Sequence, residues 1–512
     1  MKNSIETNSR EASIQVILRE GTREEIVSAR AGDRLIDVLW DHESIISPCG
    51  GKGTCKKCHV NIRGLGLVLA CRHRLLGDIE VDVLHHSRQK ILESGLNQLK
   101  PQSIPVGDSR EMAPNNSNYG FALDVGTTTV VIYLENISLG KTVGVRSFVN
   151  PQAAFGSDVI SRISFVMERQ QGLARLQTCI VAKINNAMSE MCREISISED
   201  EIAKITVVGN PTMLHLLLGV DPRSLAFSPY VPVFTETKVV AASAIGINAV
   251  GPDALVVALP SIAGYVGADV VAGIASTPMA FAEEFSLYID IGTNGEMAIG
   301  NRDSIFCCST AAGPAFEGAR ISCGVGGVDG AICSYDEGVY QTISGGPPIG
   351  ICGSGIVDIV AGLVDKGEID SSGFMESAAI IERAENTKTG ADILLTPGDV
   401  REVQLAKAAI ASGIGILLKD AGAGFNNIDR VYLAGAFGNF MNIKNAARLG
   451  MIPQELVSKV VCIGNAAGEG ARRALRSQEF ERSLKRIAGI SKYVELSCRP
   501  DFNEAFVNEM KF

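Results

Sequence analysis

Four cysteines near the N-terminus, Cys49, Cys55, Cys58 and Cys71, follow the spacing C-x5-C-x2-C-x12-C. Four thiolates are the ligand set of a 2Fe–2S cluster. Gly50, Gly51 and Gly53 lie between the first two ligands, and glycine permits the tight backbone path that aims N–H groups at cluster sulfurs. The fourth ligand precedes a β-like run at residues 79–83. A structural zinc site with four cysteines is the competing chemistry. Such sites usually carry two C-x2-C pairs, and this segment has only Cys55–Cys58, so the iron–sulfur reading is preferred. Lys52, Lys56, Lys57, Arg63, Arg72 and Arg74 surround the motif, and no acid occurs from Ser44 to Gly77. This is either an electrostatic dock for an acidic redox partner or a solvated basic face.

A second chemistry is written twice. Asp124-Val125-Gly126-Thr127-Thr128-Thr129 and Asp290-Ile291-Gly292-Thr293-Asn294-Gly295-Glu296 each follow an apolar run. In such a strand–turn–strand unit the turn N–H groups cradle phosphate, and hydroxyls add donors. The aspartate holds a metal ion or orients water. One copy is a weak signal; two copies form an internal repeat. A third element, residues 431–439, runs an apolar strand into Gly435-Ala436-Phe437-Gly438. This turn could admit a purine against the backbone, or could equally be ordinary strand–helix packing. No Walker A loop and no G-x-G-x-x-G fingerprint occurs.

The elements that position these groups follow from pattern. Residues 13–28 read as a β-hairpin turning at Glu20-Gly21, and residues 31–40 as a short amphipathic helix. Residues 89–118 are rich in Pro, Asn and Ser and read as a linker. Beyond them strands are expected at 121–125, 130–134, 205–208, 255–258, 286–291 and 430–434. Helices are expected at 158–168, 174–195 and 403–418. The class is α/β. The 512 residues predict more than one domain, and 46% apolar residues suffice for large cores. The net charge of −10 argues against a nucleic-acid groove or an anionic-membrane surface. No apolar run reaches membrane-spanning length and no signal peptide is evident, so the expected location is cytoplasmic. The remaining cysteines, among them Cys307, Cys308, Cys323, Cys333 and Cys352, match no ligand spacing and read as buried small residues. His215 reads as a core residue.

The N-terminal segment resembles the β-grasp ferredoxins. The two Asp-x-Gly-Thr units with the Gly435 turn resemble the phosphate loops and adenosine motif of the actin, sugar-kinase and heat-shock ATPase superfamily. The resemblance implies an N-terminal β-grasp 2Fe–2S ferredoxin domain (1–88), a linker (89–118) and a two-lobed RNase H-like ATPase core (119–275 and 276–512). Gly209-Asn210-Pro211 and Gly353-Ser354-Gly355 fall where that superfamily has connecting elements. The combination resembles the reductive activators of corrinoid proteins, including O-demethylase activating enzymes, over nearly the whole chain. Residues 150–163, beginning Asn150-Pro151-Gln152, and the run Ala312-Gly313-Pro314-Ala315-Phe316-Glu317-Gly318 share in it.

That resemblance implies ATP-dependent transfer of one electron from the cluster to a corrinoid protein, taking Co(II) to Co(I), with ATP, Mg²⁺ and a 2Fe–2S cluster as cofactors. Cys49, Cys55, Cys58 and Cys71 would bind the cluster. Asp124 and Asp290 would organise Mg²⁺ or water, with Glu296 and Glu317 as water-orienting groups. Gly126, Thr127, Thr128, Gly292, Thr293, Asn294 and Gly295 would meet phosphate. Gly313 and Pro314 would contribute to the nucleotide site, and Gly435, Ala436, Phe437 and Gly438 would flank adenosine. Asp158 would be catalytic or cap a helix. The expected partners are the corrinoid protein, a low-potential electron donor and a second copy of the chain. Ferredoxin-type clusters sit near about −400 mV, so a gap of ~100–200 mV to Co(I) costs about 2–5 kcal/mol. ATP can cover it by changing affinities for partner states. Three other readings compete: an activator of another low-potential enzyme, like those of 2-hydroxyacyl-CoA dehydratases; a small-molecule kinase with a redox domain; and a redox-sensing nucleotide-binding regulator.

Overall fold

The computed structural model describes residues 13–20, 23–41, 50–53, 58–82, 118–318, 320–435 and 440–512. Cys49, Cys55, Lys56, Lys57, His85, His86, nearly all of the expected linker, and Ala436, Phe437 and Gly438 lie outside the described residues. The chain divides into two compact units, one from Met1–Arg88 with Pro151–Cys179, the other from Gln89–Asn150 with Ile180–Phe512.

In the first unit, β1 (Ser13–Glu20) and β2 (Arg23–Arg30) form the expected antiparallel hairpin. Helix α1 (Leu35–Asp41) follows, then β3 (His59–Ile62), β4 (Gly66–Leu69) and β5 (Ile79–Asp82). The strand order is β2-β1-β5-β3-β4 with β5 parallel to β1, a ferredoxin-like β-grasp sheet. The period-two pattern of β1 buries Ile14, Val16 and Leu18. Helix α1 starts four residues later than the pattern implied. The Asp33 carboxylate accepts the Arg30 N–H and Gly32 is left-handed at φ +90°, which makes a turn there.

The expected division placed residues 151–179 with the ATPase core, but the structure packs them with the N-terminal module. They carry α2 (Val159–Glu168) and the start of α3 (Gly172–Glu194). The reason is an aromatic cluster. Trp40 of α1 lies 5.3 Å from Phe155 and 5.6 Å from Phe165, ring centre to ring centre, and the two phenylalanines are 5.0 Å apart. Asp158 proves to be the N-cap of α2, accepting from Ser161 N in a reciprocal capping box.

The second unit contains two six-stranded sheets that share a five-stranded plan and differ in the sixth strand. The first uses β6 (Tyr119–Val125), β7 (Thr129–Asn136), β8 (Lys141–Val149), β9 (Ile202–Gly209), β10 (Lys238–Ala241) and β11 (Leu255–Ala258), in the order β10-β11-β9-β6-β7-β8. Helices α4 (Pro211–Leu218) and α5 (Ala268–Ala275) follow β9 and β11. The second uses β12 (Phe285–Ile291), β13 (Gly295–Gly300) and β14 (Ile305–Thr310). Between these and the rest of that sheet come small strands β15 (Ala331–Asp336), β16 (Val339–Thr342), β17 (Gly350–Ile351), β18 (Ala379–Glu382) and β19 (Ile393–Leu395), with helices α6 (Gly353–Asp365) and α7 (Pro397–Ala421). The chain closes with β20 (Ile428–Ala434), α8 (Ile443–Arg448), β21 (Val460–Gly464), α9 (Ala466–Arg476), α10 (Gln478–Ile490), β22 (Ser491–Tyr493) and α11 (Pro500–Asn508). The second sheet is ordered β21-β20-β12-β13-β14-β22.

In each sheet an antiparallel meander continues into parallel strands on the side of its first strand. This is the RNase H-like plan, and it places Asp124 and Asp290 at equivalent strand ends. Two helices late in the chain, α9 and α10, cover the first sheet. Thr206 on β9 donates to the Ala471 carbonyl at 2.8 Å, and Lys204 pairs with Glu481 at 3.1 Å. Fully buried Glu135 on β7 takes Arg472 at 2.9 Å and also Arg476. A buried carboxylate needs such partners, which fixes α9 to this lobe.

Candidate nucleotide cleft and cluster loop

The strand ends of the two lobes frame a cleft of about 360 Å³. Asp124, Gly126, Thr127 and Thr128 line it from the first lobe, and Asp290, Gly292, Thr293, Asn294 and Glu296 from the second. The two loops meet through one acid. Thr128 Oγ1 and Thr293 Oγ1 donate to Glu317 Oε2 at 3.0 and 2.7 Å, and the two hydroxyls are 3.2 Å apart. A carboxyl oxygen therefore already sits between the hydroxyls that are candidates for phosphate. Gly435 at the end of β20 also lines the cleft. It is left-handed at φ +91°, and a Cβ there would stand 2.9 Å from the Ile291 carbonyl oxygen.

The floor is acidic. Burial pushes Asp124 up to about 7, opposed by the Asn465 amide and reinforced by Asp290. Asp290 rises to about 6 through burial, against a 3.2 Å bond donated by Tyr288. Asp269, at the start of α5, rises to about 7 through burial and the charges of Asp290 and Asp124. Glu296 is held well above the carboxylate range by burial, with Asp269 and Asp290 adding to the effect. All four carboxylates keep some contact with the water of the cleft, so a divalent cation can reach them. Mg²⁺ typically takes only one or two carboxylates plus phosphates and water, and this donor set fits that demand. Among the described residues no three His, Cys, Asp or Glu side chains converge as a ready-made metal site.

Several expected site residues act from behind the cleft wall. Gly313 and Pro314 do not line it; they open the 3₁₀ turn Pro314–Glu317 that carries Glu317 into it. Gly295 sits behind its loop, packed near Thr310 Oγ1. Thr127 accepts a 2.9 Å bond from the Asn210 amide. Asp269, Asn210 and Asn465 were missed by sequence reasoning. Asn465, the N-cap of α9, donates to Asp124 Oδ2 at 2.7 Å. None of the three repeats a motif, and the only hint was Asn210 in the singled-out Gly209-Asn210-Pro211. Cys352 and Ser354 at the start of α6 also line the cleft. His215 is a core residue: its Nδ1 bonds the Pro211 carbonyl at 2.6 Å, while Nε2 accepts from Val233 N at 3.0 Å. Cys307 and Cys308 lie buried on β14, and burial pushes the Cys307 thiol up to about 12.

Two expected cluster ligands are described. Cys58 and Cys71 are buried, and the Ala70 N–H donates to the Cys58 carbonyl at 2.8 Å. The loop residues fit a cluster cradle. Gly50, Gly51 and Gly53 are left-handed at φ +60°, +79° and +79°. A Cβ on them would come within 2.8 Å of the Phe155 carbonyl oxygen, 2.9 Å of the Trp40 ring and 2.6 Å of Arg72 Nε. Among the described residues the buried Trp40 indole N–H beside this loop has no hydrogen-bond acceptor, the kind of donor that a cluster or thiolate sulfur satisfies. The basic rim is partly neutralised: Lys52 pairs with Glu168 at 3.1 Å and Arg63 with Glu80 at 2.8 Å.

Comparison with known proteins agrees with this geometry. A family model described as the RACo middle region matches residues 119–281, and one described as the C-terminal domain of RACo, the ASKHA domain, matches residues 284–512. The corrinoid activation enzyme RamQ of Eubacterium limosum is 32% identical, with 91% of this chain and 93% of RamQ covered. The chain belongs to the corrinoid reductive activators. A [Co(II) methylated amine-specific corrinoid protein] reductase of Methanosarcina barkeri is 26% identical to this activator over 77% of each chain. The solved structure of a reductive activator for corrinoid, iron–sulfur protein superimposes with a TM-score of 0.73 at 30% identity, covering 98% of both chains. Among the described residues of this activator, no helix is long and apolar enough to cross a membrane.

Proposed function

We propose that this activator uses ATP, bound with Mg²⁺ in the cleft between its lobes, to drive one electron from a 2Fe–2S cluster onto the Co(II) corrinoid of a partner protein, yielding Co(I). The observation that carries the reading is the pair of facing Asp-x-Gly-Thr loops in a chain that also presents the glycine-cradled cysteine loop. Cys49, Cys55, Cys58 and Cys71 would hold the cluster. When bound, the cluster supplies a one-electron carrier at low potential.

The other roles belong to the chain itself. Backbone N–H groups of the two loops face the phosphates. Thr128 and Thr293 exchange the Glu317 oxygen for a phosphate oxygen. Asp124, Asp269 and Asp290, whose burial favours the protonated form, would be held ionised by a bound cation, whose charge offsets that burial. Glu296 faces the same charge and becomes the base that orients the attacking water. Thr128 and Thr293, already 3.2 Å apart on one Glu317 oxygen, hold the lobes together on that phosphate, and the release of Glu317 is the change a docked partner reads. Gly435, Ala436, Phe437 and Gly438 flank the adenosine. The activator works as a cytoplasmic homodimer, charged by a low-potential donor that meets the basic rim of the cluster loop.

The test is anaerobic. Reduced protein, Mg-ATP and a Co(II) corrinoid protein are mixed and the cobalt spectrum is followed. ATP-dependent Co(I), lost in Cys55→Ala and Asp290→Ala, is expected. Co(II) that persists while the cluster is reduced and ATP is bound would sink the reading.

A further inference from the structure

The run that begins at Asn150 is not accounted for by cluster ligation or by nucleotide binding, yet it is anchored at both ends. In the second unit, Asn150 is fully buried against the first phosphate loop. Its N–H donates to the Thr128 carbonyl at 2.8 Å, and its side-chain amide donates to the Gly126 carbonyl at 2.9 Å. Any shift of that loop on meeting phosphate must therefore move Asn150.

The next peptide bond enters the first unit. Pro151 fixes its own φ and restricts the residue before it. Residues Pro151–Ala154 form a 3₁₀ turn locked by buried side chains. Gln152 donates to the Leu176 carbonyl at 3.0 Å and accepts from Arg162 Nη1 at 3.1 Å, while Arg162 Nε donates to the Gly156 carbonyl at 3.0 Å. Gln152 and Arg162 have no solvent exposure. The locked turn ends on Phe155, whose carbonyl oxygen lies where only a glycine at position 50 leaves room, and whose ring packs on Trp40. Trp40 in turn abuts Gly51.

We infer that residues 150–156 are a strap that transmits the state of the Gly126–Thr129 phosphate loop to the packing of Trp40 and Gly50–Gly51 at the cluster loop, with Gln152 as its positioning residue. The inference rests on the reading of the cleft as a nucleotide site. Linkage requires the coupling to run both ways, so whatever the nucleotide does to the cluster loop, the state of that loop does to nucleotide affinity.

Trp40 is the only tryptophan in the chain, and it does not line the cleft. Its emission maximum is therefore a reporter built into the strap. The intact, cluster-loaded protein is titrated with a non-hydrolysable ATP analogue and Mg²⁺, with calorimetry in parallel. Trp40 emission should shift and saturate at the calorimetric Kd. Gln152→Ala should keep that Kd within about threefold but lose at least about half of the shift, and the nucleotide-induced change in cluster midpoint potential should shrink with it. Phe155→Leu is the second variant, with the same expectation, should Gln152→Ala fail to fold. Analogue binding with a silent Trp40 in the wild type, or a full shift in a folded variant, overturns the strap while leaving the nucleotide reading intact. Absence of binding heat overturns both.

Discussion

The two phosphate loops are copies of one design, and their differences assign the labour. Both end a first strand that pairs with its meander neighbour, yet the first loop is one residue longer. Val125 pairs with Val130, whereas Ile291 pairs with Gly295. The residue facing each aspartate across the hairpin then differs: Val131 opposite Asp124, Glu296 opposite Asp290. Only the second loop places an acid there, with Ser309 Oγ 3.4 Å from it. The first loop instead has its aspartate held by Asn465 and its carbonyls held by Asn150. One loop carries an acid at the matching position, and the other is tied to neighbouring structure. Duplicated topology supplies two equivalent positions, and the side chains make them different: on the proposed reading, the second is the one that orients water.

That asymmetry can be broken most strongly at Glu296. Glu296→Gln should lower ATP hydrolysis about 10²–10⁴-fold with little change in nucleotide Kd, while Val131→Ala at the matching position should change turnover far less; steady-state phosphate release compares the two. Equal losses would remove the division of labour.

The first loop depends on α9. Arg472→Leu leaves Glu135 with a single guanidinium, Arg476. Arg476 and the Thr142 hydroxyl still face Glu135, so the cost should be about 1.5–3 kcal/mol, read as a lower urea midpoint. A variant as stable as the wild type would mean that α9 is not fastened through Glu135.

The aspartates should also separate by pH. Their pKa values in the folded protein, about 7 for Asp124 and about 6 for Asp290, lie above the ordinary carboxylate value. The folded state therefore binds the extra protons. The stability these groups contribute is complete below pH 4 and is lost as pH rises through 6 to 7. Metal-free Asp124→Asn should accordingly gain about 2–4 °C in Tm at pH 8 over the wild type. On the proposed reading Mg²⁺ would need the ionised forms, so its binding should weaken as pH falls through the same window. In Asp124→Asn its midpoint should move from about 7 toward about 6, the value set by Asp290. An unmoved midpoint would assign the titration to Asp269.

The smallest effect lies where the loops meet. Glu317→Gln keeps an acceptor for Thr128 and Thr293 but removes the charge. Nucleotide should bind about two- to fivefold tighter, since a neutral oxygen competes less well with phosphate. Weaker binding in calorimetry would make Glu317 part of the phosphate site and not its stand-in.

What the sequence alone determined is whatever depends on neighbours along the chain. The cysteine spacing with its glycines, the two Asp-x-Gly-Thr turns, the β1–β2 hairpin and the Asp158 cap are all local, and local chemistry repeats recognisably. The ATPase fold was legible for the same reason, because its duplication is written in the turns. Tertiary structure alone decided the rest. Asp269 joins Asp124 and Asp290 only because the fold brings the start of α5 to the same cleft. Asn465 reaches Asp124 from more than three hundred residues away because α9 folds back over the first sheet. Residues 151–179 leave the ATPase core for the N-terminal module because Phe155 and Phe165 bury themselves against Trp40. No spacing encodes such partnerships: burial is non-directional, and which apolar faces meet is settled only when the whole chain closes on them.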